Sequence, residues 1–187
     1  MNLRSGFSLI ELTVVIAILA ITASLVTVNF SSVRVRQELS KFAGTLRRAQ
    51  SLALSGSGIQ DNAVCGYGLH FLSQNQYILF EGRTASGLPC GLTSRLYKPG
   101  IDRIVETFTI TAAGVVVENF PDVFFEPPDP KVYLADSSSF GSQTAVYVRR
   151  QGDPQCSPST CLRLIVSTSG RIEITAAGSD EVLQRAQ

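Results

Sequence analysis

The sequence predicts an α+β protein: a long N-terminal α-helix, with a membrane half and an amphipathic half, packed on an antiparallel β-sandwich or meander head. The first observation is an apolar run from Phe7 to Val28 whose only ionisable side chain is Glu11. The second is the three-and-four spacing of apolar residues that continues to Ala53. The third is a series of short alternating segments after Tyr67, which indicates strands.

The apolar run predicts that the chain is membrane-inserted at some stage. About 20 such residues, each rising ~1.5 Å along a helix, cover a hydrocarbon core of roughly 30 Å. A carboxylate in a spanning helix costs on the order of 2.5–3.5 kcal/mol at mid-bilayer, so Glu11 is expected to have a partner. An ordinary secretory signal or a plain anchor is the alternative. Against a secretory signal, Arg4 is the only charged side chain in residues 1–6, and the signal-peptidase cleavage pattern near Ser24 is weak.

The same helix is expected to continue as an amphipathic segment. Its predicted buried positions are Val35, Leu39, Phe42, Leu46, Ala49 and Ala53. Glycines at positions 56 and 58 supply the stop. The basic residues of this segment are Arg34, Arg36, Lys41, Arg47 and Arg48. A nucleic-acid face is one interpretation, but a solvated helix face near lipid headgroups is favoured.

The head is predicted to be built from short strands. The candidates are residues 67–71, 77–80, 104–110, 115–117, 123–125, 145–149, 162–166 and 171–175. The first two flank a polar turn and indicate a hairpin. Three prolines within 127–130 end the strand at 123–125 because proline supplies no amide donor to a sheet.

The four cysteines follow the apolar run and predict two disulfides in an exported head. The pairing of Cys65 with Cys90 and of Cys156 with Cys161 is the most local of three possibilities, and the sequence leaves the choice open. A zinc site is the alternative, but the spacing is unsuitable and the chain has one histidine, so neither a metal nor a cofactor is expected.

Composition and motifs do not favour catalysis or a charged partner. The chain has 16 basic and 15 acidic residues, and losing Arg4 would balance them. A serine triad would have to use His70, the one histidine, which sits in an alternating strand, and no phosphate or dinucleotide fingerprint is present. The chain is therefore not expected to be an enzyme.

A glycine followed by Phe7, with Glu11 five residues after that glycine, resembles the start of the type IV pilin and type II secretion pseudopilin superfamily. The resemblance implies that a prepilin peptidase cuts between Gly6 and Phe7 and methylates Phe7. It also implies that Glu11 pairs with the amino terminus of a neighbouring subunit during assembly. The expected parts are a leader (1–6), a transmembrane and assembly helix (7–30), an amphipathic helix (31–56) and a head (57–187).

The head is most similar to H-type pseudopilins and FimT-type minor pilins, through residues 46–53, 108–114 and 162–172. This implies a minor pilin or pseudopilin of a type IV pilus or type II secretion system. Its partners would be prepilin peptidase, other subunits and the inner membrane, with the head on the periplasmic side. The alternative is a DNA-binding minor pilin of a natural-transformation machine, using Arg171 and Arg185, although Glu173 occupies the place where another arginine would help.

Overall fold

The computed structural model describes residues 8–56, 64–84, 89–90, 94–127, 131–139, 142–153, 156 and 160–176, except for the side chains of residues 24–31. One α-helix, α1 (Leu9–Leu54), runs across the predicted boundary between the membrane and amphipathic halves. It begins after Ser8, whose backbone is extended, and it ends before Gly56, which has a φ of +63°. Glycine tolerates that left-handed conformation, so Gly56 is the helix stop that the sequence predicts.

The 46 residues of α1 correspond to about 70 Å at ~1.5 Å per residue. Within the described part of the chain, no helix meets the length and apolarity that a membrane span requires. The membrane half of α1 therefore stays a prediction, whereas the amphipathic half is directly visible in its burial. All six predicted buried positions from Val35 to Ala53 are at most 1% exposed.

The described strands of the head are β1 (Val64–Ser73), β2 (Gln76–Arg83), β3 (Arg103–Thr109), β4 (Val115–Val117), β5 (Val123–Glu126), β6 (Lys131–Leu134), β7 (Gln143–Arg150), β8 (Cys161–Ser167) and β9 (Ile172–Ala176). Within these residues, sheet A has the strand order β3-β2-β1-β5-β6 and sheet B has the order β4-β7-β8-β9. All neighbouring strands are antiparallel. The α+β class with an antiparallel head is thus confirmed.

Each segment predicted as a strand overlaps one, although Ile110 and Arg171 lie just outside β3 and β9. The predicted hairpin is β1 and β2, with Leu69 opposite Leu79. The sequence reading did not include β6, which follows the proline-rich break and pairs with β5. This strand is only four residues long, and two of them, Val132 and Leu134, face the core. The predicted break at the prolines of residues 127–130 hides this strand, because β6 begins directly after them.

Helix α1 packs against strands of both sheets, and this places it at the centre of the main core. Phe42 lies edge to face with Tyr77 and Phe120, at centroid distances of 4.8 and 5.1 Å. Leu39 and Leu46 are fully buried in the same cluster. The buried stripe of α1 therefore fixes the head to the helix, while residues 8–23 extend beyond it with every side chain exposed.

The opposite face of sheet A has its own smaller core. Ile78, Phe80 and Phe124 are buried there, and Tyr97 packs against them. Tyr97 belongs to the segment Ser94–Asp102, which we call the strap. The strap covers this face in the way a helix would in a larger α/β protein, so both faces of sheet A are protected from water.

Candidate functional site

The apolar segment, residues 8–23 of α1, is the most unusual surface of the molecule. Its large exposed side chains are Leu9, Ile10, Leu12, Val14, Val15, Ile16, Ile18, Leu19 and Ile21, which are between 45% and 81% exposed. Soluble monomers rarely expose a continuous apolar surface of this length, and such surfaces mark contacts with protein or membrane. The described residues of the head leave this segment uncovered.

The two threonine hydroxyls of the apolar segment are satisfied by the helix itself. Thr13 donates to the carbonyl oxygen of Ile10 at 2.8 Å. Thr22 lies 3.0 Å from the carbonyl oxygens of both Ile18 and Leu19. Because these two groups need no water, Thr13 and Thr22 can enter an apolar environment with their hydroxyls paired.

Glu11 is the group that the helix does not satisfy. It lies in the first turn of α1, where its amide donates to the carbonyl oxygen of Ser8 at 3.0 Å. Its carboxylate is exposed, and it has no ion-pair partner among the residues whose side chains are described. The helix dipole favours an acid at this end by about 0.3–1 kcal/mol, which is less than the ~2.5–3.5 kcal/mol cost at mid-bilayer. In an apolar environment, ionised Glu11 would therefore need a cation from outside this segment.

The predicted cleavage and methylation site cannot be placed beside Glu11, because Gly6 and Phe7 lie outside the described residues. The site is thus represented in the structure by Glu11 and the apolar segment. The sequence identified Glu11 because it is the only charge in an apolar run. No comparable signal in the sequence reveals which apolar side chains face a neighbouring subunit.

The structure joins Cys65 to Cys90 and Cys156 to Cys161, the most local of the three possible pairings. The Cα atoms of the pairs are 5.2 and 4.9 Å apart, within the usual range for a disulfide. Cys65 lies at the start of β1, next to the smaller core. All four cysteines are used, which leaves no free thiol for the alternative zinc site.

Arg171, one of the two predicted DNA-binding arginines, is in an ion pair. Its side chain is 73% exposed, and its Nη2 atom is 2.8 Å from the carboxylate of Glu173. Arg185 lies outside the described residues. The described surface around Arg171 therefore presents a neutralised pair.

His70 is held in place by contacts with Asp122 and Tyr97. Nδ1 of His70 lies 2.7 Å from Oδ1 of Asp122, and the amide of Tyr97 donates to Oδ2 of the same carboxylate at 2.7 Å. The His70 and Tyr97 rings are also in contact, at a centroid distance of 4.8 Å. Asp122 thus connects β1 to the strap, and this explains the geometry of His70 without a reaction.

A buried carboxylate in β2 was not identified from the sequence. Glu81 is 1% exposed and pairs with Arg83, 2.7 Å away, and with Arg103. Burial alone would raise the pKa of Glu81, but the hydrogen bonds and charges of the two arginines outweigh it and hold the pKa below its ordinary value. The sequence signal is an acidic residue at an inward position of an otherwise apolar strand.

The start of the chain matches a known family of prokaryotic proteins. Residues 1–27 match the family described as the prokaryotic N-terminal methylation motif. No curated protein and no solved structure matches the chain. The motif supports the type IV pilin and pseudopilin superfamily, with processing by prepilin peptidase and assembly with other pilin subunits.

Proposed function

We propose that this chain is a minor pilin or pseudopilin that polymerises into a type IV pilus or a type II secretion pseudopilus. It is made as a precursor, anchored in the inner membrane by the apolar part of α1, and cut between Gly6 and Phe7 before assembly. The observation that carries this proposal is the exposed apolar segment with Glu11 in its first turn, in a chain whose first 27 residues match the methylation motif.

The exposure of the apolar segment supports two apolar environments for it, one before assembly and one in the filament. Before assembly, lipid covers the apolar side chains. In the filament, the helices of neighbouring subunits replace the lipid. Both environments exclude water from Ile10, Leu19 and Ile21, which are between 61% and 72% exposed in the isolated subunit.

The charge of Glu11 then selects the position of each subunit. Cleavage before Phe7 creates a new α-amino group, whose usual pKa of about 7.7–8.0 keeps it largely protonated at neutral pH. An ammonium group from a neighbouring subunit supplies the cation that Glu11 lacks. A subunit in the wrong axial position leaves both charges unpaired in an apolar environment, which is strongly unfavourable.

The continuous helix supports force transmission from the assembly site to the head. The amphipathic half of α1 is buried by both sheets, and the apolar half is the same helix without a break. Movement of the apolar segment into a filament therefore carries the head with it. The two disulfides suit an oxidising compartment, which supports a head on the periplasmic side of a single membrane anchor.

Site-specific photo-crosslinking in the native cell tests this proposal. A photoreactive residue at Leu19 is expected to capture proteins that share the N-terminal motif, identified by mass spectrometry. The matched control is Leu72, which is 46% exposed on the head. Glu11→Gln is expected to weaken the Leu19 crosslinks because it removes the charge that fixes the register. Crosslinks that reach only proteins without the motif, or that are unchanged in Glu11→Gln, would contradict the proposal.

The alternative, a DNA-capturing minor pilin, receives no support from Arg171, the described member of the two arginines predicted to bind DNA, because it is paired with Glu173. Salt-dependent DNA binding that is lost in Arg171→Ala would favour it. We therefore propose the assembly role as the function.

A further inference from the structure

A groove lies between α1 and the turn that joins β3 to β4. It has a volume of about 360 Å³ and is lined by Arg34, Gln37, Glu38, Lys41, Thr111, Ala112 and Ala113. The helix positions are spaced by three and four residues, so they form one stripe along α1. On the adjacent stripe, Ser32, Val33, Arg36, Gln37, Ser40 and Lys41 line a second concave surface of about 580 Å³. The two surfaces share Gln37 and Lys41.

The charge of this region is positive. Arg34 and Arg36 are exposed, and neither forms an ion pair with any side chain that the structure describes. Nζ of Lys41 lies 2.8 Å from Oε1 of Glu38, which is 7% exposed, so these two charges offset each other. Lys41 therefore compensates the carboxylate of Glu38. The positive charges of Arg34 and Arg36 attract anions to this region.

The position of the groove along α1 points to the headgroup region of a bilayer. Arg34 is six residues beyond Val28, the end of the apolar run, or about 9 Å along the helix axis. The headgroup layer extends roughly 5–8 Å beyond each side of the hydrocarbon core. Arginine side chains reach several ångströms and lay their apolar stems along such a boundary. Arg34 and Arg36 thus reach the level of the lipid phosphates when the apolar run fills the core.

We propose that these two surfaces bind headgroup phosphates of anionic phospholipids, with Arg34 as the principal contact in the groove and Arg36 as the principal contact on the adjacent surface. The guanidinium groups offer forked donors that match phosphate oxygens, and the Gln37 amide and the Thr111 hydroxyl offer further donors. The inference rests on the proposed function, because only insertion of the apolar run brings the groove to the headgroups. Bound lipid holds the subunit at a fixed depth before assembly, and the lipid must leave when the subunit enters a filament.

Native mass spectrometry of the full-length chain in detergent tests the lipid site. The chain is titrated with phosphatidylglycerol or with phosphatidylcholine of the same acyl chains, and the dissociation constants are compared. Each arginine near an anionic surface contributes about five-fold in affinity. We expect tighter binding of phosphatidylglycerol, and we expect the double variant Arg34→Gln/Arg36→Gln to lose that preference.

The matched control is Arg47→Gln/Arg150→Gln, which removes the same charge from exposed positions that do not line the groove. It is expected to keep the preference. No preference in the wild type, or equal losses in both double variants, would overturn the site. Resistance of the cellular protein to carbonate extraction separates the two proposals. A chain that resists extraction but shows no lipid preference contradicts only the groove, whereas a chain that is extracted contradicts membrane insertion and the groove with it.

Discussion

Glu11 and Glu81 are two carboxylates in apolar surroundings that differ in where their cations come from. Glu81 lies inside the head, and Arg83 and Arg103 of the same chain compensate it. Glu11 lies on an exposed apolar helix with no such partner among the described side chains. Since an uncompensated charge is costly once water is excluded, the same rule that explains Glu81 predicts that Glu11 gains a cation when its helix is buried.

The Glu81 cluster gives the head a testable pH dependence. The pKa of Glu81 is lower in the folded head than its ordinary value of 4.5. Ionised Glu81 therefore stabilises the fold at pH values above 4.5. The contribution is lost as the pH falls through the lowered pKa of the folded state. Glu81→Gln is expected to destabilise the head by about 1–2 kcal/mol at pH 7 and by less at pH 3.

Thermal unfolding of the full chain in detergent, followed by near-ultraviolet circular dichroism, measures this difference. The control is Glu106→Gln, because Glu106 pairs with Arg48 at the surface and both side chains are well exposed. Surface pairs contribute at most about 1 kcal/mol. Equal effects of the two substitutions at pH 7 would be inconsistent with a buried role for Glu81.

At the scale of elements, the sequence predicts α1 and most strands because their patterns are long or regular. The buried stripe of α1 extends over five turns, and β1 and β2 are connected by a polar turn. The strap has no such pattern, and its position depends on Asp102 and Asp122. Asp102 accepts the amides of Arg83 and Lys98, at 2.7 and 2.6 Å. Hydrogen bonds between segments distant in sequence leave no periodic signal, so they were found only in the structure.

Two glycines in different elements are expected to respond in opposite directions to alanine. A Cβ atom at Gly82 of β2 would lie 2.5 Å from the ring of Phe124, which is 2% exposed and cannot move aside. Gly82→Ala is therefore expected to destabilise the head by about 1–3 kcal/mol. A Cβ atom at Gly44 of α1 meets nothing within 4 Å. Gly44→Ala is expected to stabilise α1 by about 0.8–1.0 kcal/mol.

Melting temperatures of these two variants and the wild type, recorded under the same conditions, test the packing of both elements. The expected order is Gly44→Ala above wild type above Gly82→Ala. A Gly82→Ala variant as stable as the wild type would mean that the Phe124 ring is not confined between the sheet and the strap.

The two disulfides are expected to differ in their contribution to stability. The Cys65–Cys90 bond joins residues 25 apart, whereas the Cys156–Cys161 bond joins residues 5 apart. In the chain-entropy account, the longer loop contributes about 3–4 kcal/mol and the shorter one about 2 kcal/mol. Replacing both cysteines of each pair by alanine, and measuring unfolding by denaturant, gives the two values. A larger loss of unfolding free energy on replacing Cys156 and Cys161 than on replacing Cys65 and Cys90 would contradict this order.

At the scale of the molecule, the functional features lie along one helix. The apolar segment carries Glu11, the next turns carry the phosphate groove, and the buried stripe carries the head. Glu11 was predictable because a single charge in an apolar run is anomalous by itself. The groove was not, because Arg34 acquires its concave setting only when the turn around Thr111 packs beside it.

The measurement that tests the central claim most directly is the intact mass and amino-terminal sequence of the membrane-expressed chain, with and without a prepilin peptidase. The wild type is compared with Gly6→Val, and Gly44→Ala serves as a glycine control that leaves the motif intact. A processed subunit begins at Phe7 and carries one added methyl group, only with the peptidase and not in Gly6→Val. A chain that stays uncut, or that is cut near Ser24, would contradict the account and leave an anchored or secreted β domain.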